Sequence, residues 1–231
     1  MKKFLSGLLA AVSLFSFCAY GSVSKAEETP EQNVKATKTV KDTELVFIID
    51  KSGSMYSLAN DTIGNFNSVI EEQKKDKENG KVDVTTVLFD SQHSKLHDRV
   101  DIEEVKEMTD KDYKPNGCTA LLDAVGDTLN NLSKVEGVKD RNVVVAIITD
   151  GFENSSKEYN KAQVKDLIEA KEKDGWKILF FGAGIDAFSD KSGGGIGIRK
   201  DRIWTVDYSK QGVGATFGCI CNVVTETRAG N

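Results

Sequence analysis

Residues 45–54 read Leu-Val-Phe-Ile-Ile-Asp-Lys-Ser-Gly-Ser: five apolar residues that stop at an acid and pass into small polar ones. Successive side chains of a strand point to opposite faces, so an unbroken, β-branched apolar run describes a strand covered on both sides. Two more runs of this kind follow, Val143–Ile148 and Ile178–Phe181. Between them the spacing changes to that of helices. Ile63, Phe66 and Ile70 fall on one helical face, as do Leu122, Val125 and Leu129. Val164, Leu167 and Ile168 form a third such face, preceded by Asn160 and Gln163 at capping-box spacing. Strands alternating with helices predict an α/β fold, a doubly wound and mostly parallel central sheet with helices on both faces. Val82–Phe89 is more alternating and has a charged partner run near Leu96–Val100, which predicts an exposed hairpin and one antiparallel edge strand. Val213, Phe217, Ile220 and Val224 give the last segment, Ser209–Arg228, helical spacing, although Gly212, Gly214 and Gly218 weigh against a helix there.

The chain has 231 residues, of which 39% are apolar and 29% charged, the profile of a water-soluble domain. Residues 1–26 stand apart. Lys2 and Lys3 precede the largely apolar stretch Phe4–Tyr20, and Ser24-Lys25-Ala26 places small residues as a signal-peptide cleavage site requires. The expectation is a signal peptide over 1–26, a flexible polar linker over 27–42 and one folded domain over 43–231. The product is then exported: secreted, periplasmic or cell-surface associated. A membrane enters only if the N-terminus is retained, or lipidated at Cys18, where the preceding Phe17 is a poor fit. Cleavage would remove three lysines and no acid, moving the net charge from −5 to −8. A surface of that sign repels phosphate backbones, so nucleic acid is not expected as a partner. Cys118, Cys219 and Cys221 remain, an odd number, and a Cys-x-Cys pair without a second cluster does not make a zinc site. They are expected as small core or half-buried residues, with a disulfide from Cys118 to the C-terminal pair as the alternative.

In an open α/β sheet, ligands bind at the carboxyl ends of the strands. After the first apolar run comes Asp50-Lys-Ser52-Gly-Ser54, after the run ending at Ile148 comes Thr149-Asp150-Gly151, and Gly117-Cys118-Thr119 opens the second helix. Taken singly these are a capped turn, a turn former and a helix cap. Together they bring only oxygen donors to one sheet edge, a set suited to Mg²⁺, with Mn²⁺ or Ca²⁺ as alternatives. An EF-hand loop is not the source, because Met55 and Asp61 stand where that loop needs Gly and Glu.

Asp-x-Ser-x-Ser, then Thr at a helix start, then Thr-Asp-Gly after a buried strand resembles the metal-ion-dependent adhesion site (MIDAS) of von Willebrand factor A (VWA) domains. The likeness runs from about Thr43 to the C-terminus, and the phrases IDKSGSM, NGCTALLDAV and ITDGFENSS particularly resemble small stand-alone bacterial VWA proteins. The signal peptide departs from that group, much of which is cytoplasmic. The resemblance implies five metal-site residues: Asp50, Ser52, Ser54, Thr119 and Asp150. In it the hydroxyls coordinate directly, Thr119 only in some cases, while the two carboxylates act largely through bound water. It implies no enzyme but a module that binds a protein ligand, the partner presenting an Asp or Glu to the metal. The alternative is an assembly accessory module in which the metal mainly stabilises the fold.

Three competing sites are weaker. Gly182-x-Gly184-x-x-Ala187 with Asp207 further on imitates a dinucleotide fingerprint but lies on the wrong strand, and Asp186 would face the pyrophosphate. Gly193-Gly-Gly-Ile-Gly197 lacks the Lys-Ser/Thr of a P-loop. Hydrolysis with Ser52 or Ser54 as nucleophile needs a base. The chain's two histidines, His93 and His97, are expected as surface residues on one face of the edge hairpin. The charged run Glu71–Lys77 is expected as a solvated helix face.

Overall fold

The computed structural model describes residues 40–182, 196, 198, 200–205 and 209–230. The expected signal peptide and nearly all of the expected linker lie outside the described residues, as do Gly184, Asp186, Ala187, the glycines at 193–195 and 197, and Asp207. Among the described residues six strands, β1 (Thr43–Asp50), β2 (Val82–Phe89), β3 (His93–Asp101), β4 (Asn142–Thr149), β5 (Lys177–Gly182) and β6 (Ile203–Thr205), form one sheet in the order β3-β2-β1-β4-β5-β6. Every neighbouring pair is parallel except β2 with β3. Among the described residues four α-helices flank the sheet: α1 (Ala59–Lys74), α2 (Leu121–Ser133), α3 (Lys161–Lys173) and α4 (Lys210–Arg228).

The alternation of β1 assigns the helices to faces. Leu45, Phe47 and Ile49 pack into a core with Phe66 and Ile70 of α1 and Phe217 and Val224 of α4. Val46 and Ile48 point the other way, into a core with Leu121 and Val125 of α2 and Val164 and Ile168 of α3. The strand order reverses between β1 and β4. There the loops leave the carboxyl edge in opposite directions and open a crevice.

Asn160 caps α3 by the expected box, its side chain accepting from the Gln163 N–H and the Gln163 side chain accepting from the Asn160 N–H. The glycines do not prevent α4, because Ser209 caps its first turn and a buried stripe from Val213 to Val224 holds it. Three expectations need correction. β2 is not an exposed hairpin arm: it lies between β1 and β3 and is buried almost throughout. The run Glu71–Lys77 is not wholly solvated, since Gln73 turns inward and accepts from Arg228 of α4 at 3.0 Å.

The histidines do not share a face. Thr86 pairs with His97 and Val87 with Lys95, so Leu96 is an extra residue in β3 and reverses the sidedness beyond it. His97 is therefore buried, stacked on Phe66 and bonded to the Thr86 hydroxyl at 3.1 Å. His93 faces α2, with its Nε2 2.9 Å from the Asp127 carboxylate.

The amino-terminal edge of the sheet is closed by charge. Glu44 of β1 has 0% exposure and takes both Nε (3.1 Å) and Nη2 (2.6 Å) of Arg99, with Arg141 Nε at 2.9 Å. Arg141 also donates to Asp83 of β2 at 2.6 Å, so the ends of β1, β2 and β4 meet in one network. Removing the shared anion strands two guanidinium groups, which costs a fold several kcal/mol when they are dry. Arg99 keeps 33% of its side-chain surface in water. Glu44→Ala should therefore lower the unfolding free energy by about 3 kcal/mol, the low end of that range, read from urea denaturation.

Candidate metal centre

Asp50 ends β1 with its side chain wholly buried at the crevice. Its Oδ1 accepts the Ser52 N–H at 2.6 Å and its Oδ2 accepts the Thr149 hydroxyl at 2.5 Å, tying the end of β1 to the end of β4. The next residues turn sharply into a 3-10 helix over Gly53–Leu58, which brings the Ser52 and Ser54 hydroxyls to 3.2 Å from each other. Ser54 donates to Asp150 Oδ1 at 2.5 Å, so the Ser52 hydroxyl is the donor of the serine pair. Two loops 96 residues apart are thus joined across the crevice.

Thr119 arrives from a third segment. A Cβ added at Gly151 would lie 2.8 Å from Thr119 Oγ1 and 3.5 Å from Asp50 Oδ2, so both oxygens stand over the Gly151 backbone. Glycine at 151 is what allows this approach. Thr119 is not the cap of α2, since the cap position is Ala120 with no side-chain bond. The first turn is capped instead from the loop after β4, where Glu153 accepts from Leu122 N–H and Ser156 from Asp123 N–H. Asn154 exchanges bonds with the Thr119 backbone, accepting its N–H at 2.9 Å on the side chain and donating to its carbonyl at 3.0 Å. All five residues expected at the site therefore border one crevice.

Its electrostatics are incomplete. Burial pushes the Asp50 carboxyl above the usual carboxylate range. The hydrogen bonds from Thr149 and Ser52 oppose that rise, and the charge of Asp150 adds to it. Burial also raises Asp150, against the bond from Ser54. Among the described residues no lysine, arginine or histidine pairs with either acid, and the nearby Lys51 is taken by Asp90. Two carboxylates and three hydroxyls around one space, without a cation of the protein's own, are a donor set that a hard divalent ion fits. Among the described residues no group of three or more His, Cys, Asp or Glu is placed to hold a metal ion, so the hydroxyls of Ser52, Ser54 and Thr119 make up the larger part of this donor set.

Several supporting residues carry no motif in the sequence. Tyr113 is buried and its hydroxyl donates to the Asp50 carbonyl. Gly117, at φ 76°, sets the loop before Thr119 and accepts from Gly53 N–H at 3.1 Å. Asp123, buried in α2, accepts the N–H groups of Lys157, Glu158 and Tyr159 and pins the loop after β4. Thr149 did have a sequence signal, its place in Thr-Asp-Gly, and Gly117 stood in the Gly-Cys-Thr before the second helix. Cys118, expected in the core or half-buried, is exposed, and its N–H is held by the Ser91 hydroxyl at 2.9 Å. Cys219 and Cys221 are half-buried as expected, and all three thiols are free. Neither histidine touches Ser52 or Ser54, whose hydroxyls bond to each other and to Asp150.

No protein-family profile matches the chain, and no curated protein matches it in sequence. Solved structures do, and the fold they share with it is that of VWA domains. Proximal thread matrix protein 1 of the mussel byssus, solved with a zinc-occupied MIDAS motif, has a TM-score of 0.54 at 17% identity, covering 80% of this chain and 46% of that one. The manganese-loaded TRAP protein of Plasmodium vivax has a TM-score of 0.53 at 16% identity, covering 78% and 74%. The pilus adhesin of Lactobacillus rhamnosus GG, in its open conformation, has a TM-score of 0.61 at 12% identity, covering 81% and 30%. This chain thus spans less than half the length of the mussel protein and of the adhesin. Among the described residues no helix is long and apolar enough to cross a membrane.

The raised carboxyls fix a sign for pH dependence. A group whose folded pKa lies above its unfolded value of 3.8 contributes stability below 3.8, and that contribution is lost as pH rises through the folded pKa. In EDTA the wild type should therefore lose stability relative to Asp150→Asn as pH rises from about 4 to 7. Melting curves of the two proteins across that range measure the difference, and parallel curves would remove the electrostatic argument.

Proposed function

We propose that the crevice between β1 and β4 holds a divalent cation, Mg²⁺ with Mn²⁺ or Ca²⁺ as alternatives, and through it binds a protein ligand that supplies an Asp or Glu. The observation that carries this reading is the convergence of Asp50, Ser52, Ser54, Thr119 and Asp150 from three chain segments with no protein cation among them. Ser52, Ser54 and Thr119 would offer neutral oxygens. Asp50 and Asp150, held by Thr149, Ser52 and Ser54, would orient bound water and balance part of the charge from behind. When bound, the cation supplies an incompletely neutralised electrophile with a position open to an outside carboxylate. Ser54 and Gly53 are exposed while Asp50, Ser52 and Thr119 are buried, so access is from one side only.

The mussel protein's zinc-occupied MIDAS motif and the manganese-loaded Plasmodium protein support metal binding on this fold. The adhesin supports a binding role outside the cell, in keeping with export by the N-terminal segment. The reading is of a binding module and not an enzyme: both histidines are engaged away from the two serines, and the carboxylate that Ser54 meets, Asp150, belongs to the proposed metal site. One observation favours the second reading, an assembly accessory stabilised by its metal: complete burial of Asp50 means that a cation would also relieve a strained charge.

Capture from an envelope fraction separates the two. Wild-type protein in Mg²⁺ should retain partners that EDTA releases and that Asp150→Ala never retains. Retention by Asp150→Ala would contradict the proposal, and a large fall in melting temperature on chelation without loss of capture would favour the accessory reading. Gly151→Ala should leave the fold intact, displace the Thr119 hydroxyl and weaken Mn²⁺ binding about 10- to 100-fold in calorimetric titration, the usual effect of disturbing a ligand's support.

A further inference from the structure

Among the described residues three large apolar side chains are exposed: Val40, Tyr56 and Phe152. Two of them flank the crevice. Tyr56 is 77% exposed and lies two residues past Ser54, and Phe152 is 59% exposed and lies two residues past Asp150. Aromatic side chains presented to water beside a binding locus are the type that anchors interfaces, having much apolar area and few rotatable bonds.

Beside Tyr56 the surface opens into a cleft of about 340 Å³. Tyr56, Ala59 and Pro115 wall it, the buried Tyr113 closes its base, and Asp110 and Lys114 are exposed at its rim. The cleft adjoins the crevice through two direct links. Tyr113, which lines it, donates its hydroxyl to the Asp50 carbonyl. Tyr56 sits on the same 3-10 turn, Gly53–Leu58, that carries Ser54. Because an extended chain advances only about 3.3 Å per residue, residues within a few positions of a carboxylate held beside Ser54 come within reach of Tyr56 on the same turn.

We propose that the cleft is a second subsite, which takes an aromatic side chain, Tyr or Trp, close in sequence to the partner's acidic residue. The proposal rests on the metal-binding reading above. The lining chemistry selects the occupant. Ring surfaces at Tyr56 and Pro115 suit a flat apolar body, while Ser57 and Asn60 in the lining, with one acid and one base beside them, suit a polar tip better than a second charge. The charge balance points the same way. With a net charge of −5 the chain offers an acidic partner no long-range attraction, so selectivity among carboxylates must come from short-range contact beside the ion. The cleft supplies that contact.

The test uses defined peptides: fluorescein-labelled Gly/Ser hexamers with one Glu and one Tyr at separations of one to three residues, and the same peptides with Ala for Tyr. Fluorescence polarisation in Mn²⁺ should show the best Tyr peptide bound about ten-fold or more tighter by wild type than its Ala counterpart, the effect of one buried aromatic anchor. Tyr56→Ala should erase that preference, Tyr56→Phe should keep it, and both should bind Mn²⁺ alone, in calorimetry, as wild type does. No preference in wild type, or a preference that survives Tyr56→Ala, overturns the subsite while Mn²⁺ binding leaves the metal reading standing. Failure of wild type to bind Mn²⁺ at all overturns both.

Discussion

The Asp50 carboxylate has no surface in water, and what neutralises it decides how the upper half of the molecule is arranged. A buried carboxylate is costly unless donors surround it or a cation pairs with it. The fold supplies donors, the Thr149 hydroxyl and the Ser52 N–H, and it brings a second acid, Asp150, near enough to make matters worse. The strand order creates this conflict. Because β1 and β4 are neighbours at the point where the sheet reverses direction, their carboxyl ends must deliver their next residues into one crevice. Met55 and Leu58, buried in the core, and Tyr113, bonded to the Asp50 carbonyl, then prevent the first loop from swinging away.

The two ends of the same sheet answer the same electrostatic problem in opposite ways. At the amino edge a buried acid, Glu44, is met by Arg99 and Arg141, and the network closes on itself. At the carboxyl edge the acids are met by hydroxyls and amides, and Lys51, the nearest base in sequence, is turned away to Asp90. One edge is satisfied within the chain and serves the fold. The other is left in want of positive charge, and the proposed cation site rests on that difference. The loop carrying Glu153, Asn154 and Ser156 fixes the geometry by capping α2 and holding the Thr119 backbone, with Asp123 pinning it from below.

Most of this was legible in the sequence because it depends on local pattern. The continuous apolar runs gave β1, β4 and β5 their place inside the sheet, and the break from Ile49 to Asp50 marked where chain leaves core for crevice. The oxygen-bearing residues could be gathered because parallel strands put their carboxyl ends on one edge. What failed depends on non-local geometry. The extra residue at Leu96, which buries His97 and turns His93 to the other face, follows from a pairing irregularity with β2 and leaves no trace in the residue types of β3. The burial of β2 depends on its having neighbours on both sides, and the inward turn of Gln73 on Arg228, 155 residues away. Tyr113, Asn154 and Asp123 hold the site through hydrogen bonds to backbone, which no spacing rule encodes. Cys118 is exposed because its loop is held by its backbone, not by its side chain.

Anomalous diffraction from crystals grown with Mn²⁺ tests the central claim most directly. The account predicts one strong peak in the crevice within direct bonding distance, about 2.0–2.4 Å, of the Ser52 and Ser54 hydroxyls, with Thr119, Asp50 and Asp150 around it. A crevice without a peak at saturating Mn²⁺, or a peak bound elsewhere on the surface, would contradict it and leave the buried Asp50 and the half-buried Asp150 to be explained by the fold alone.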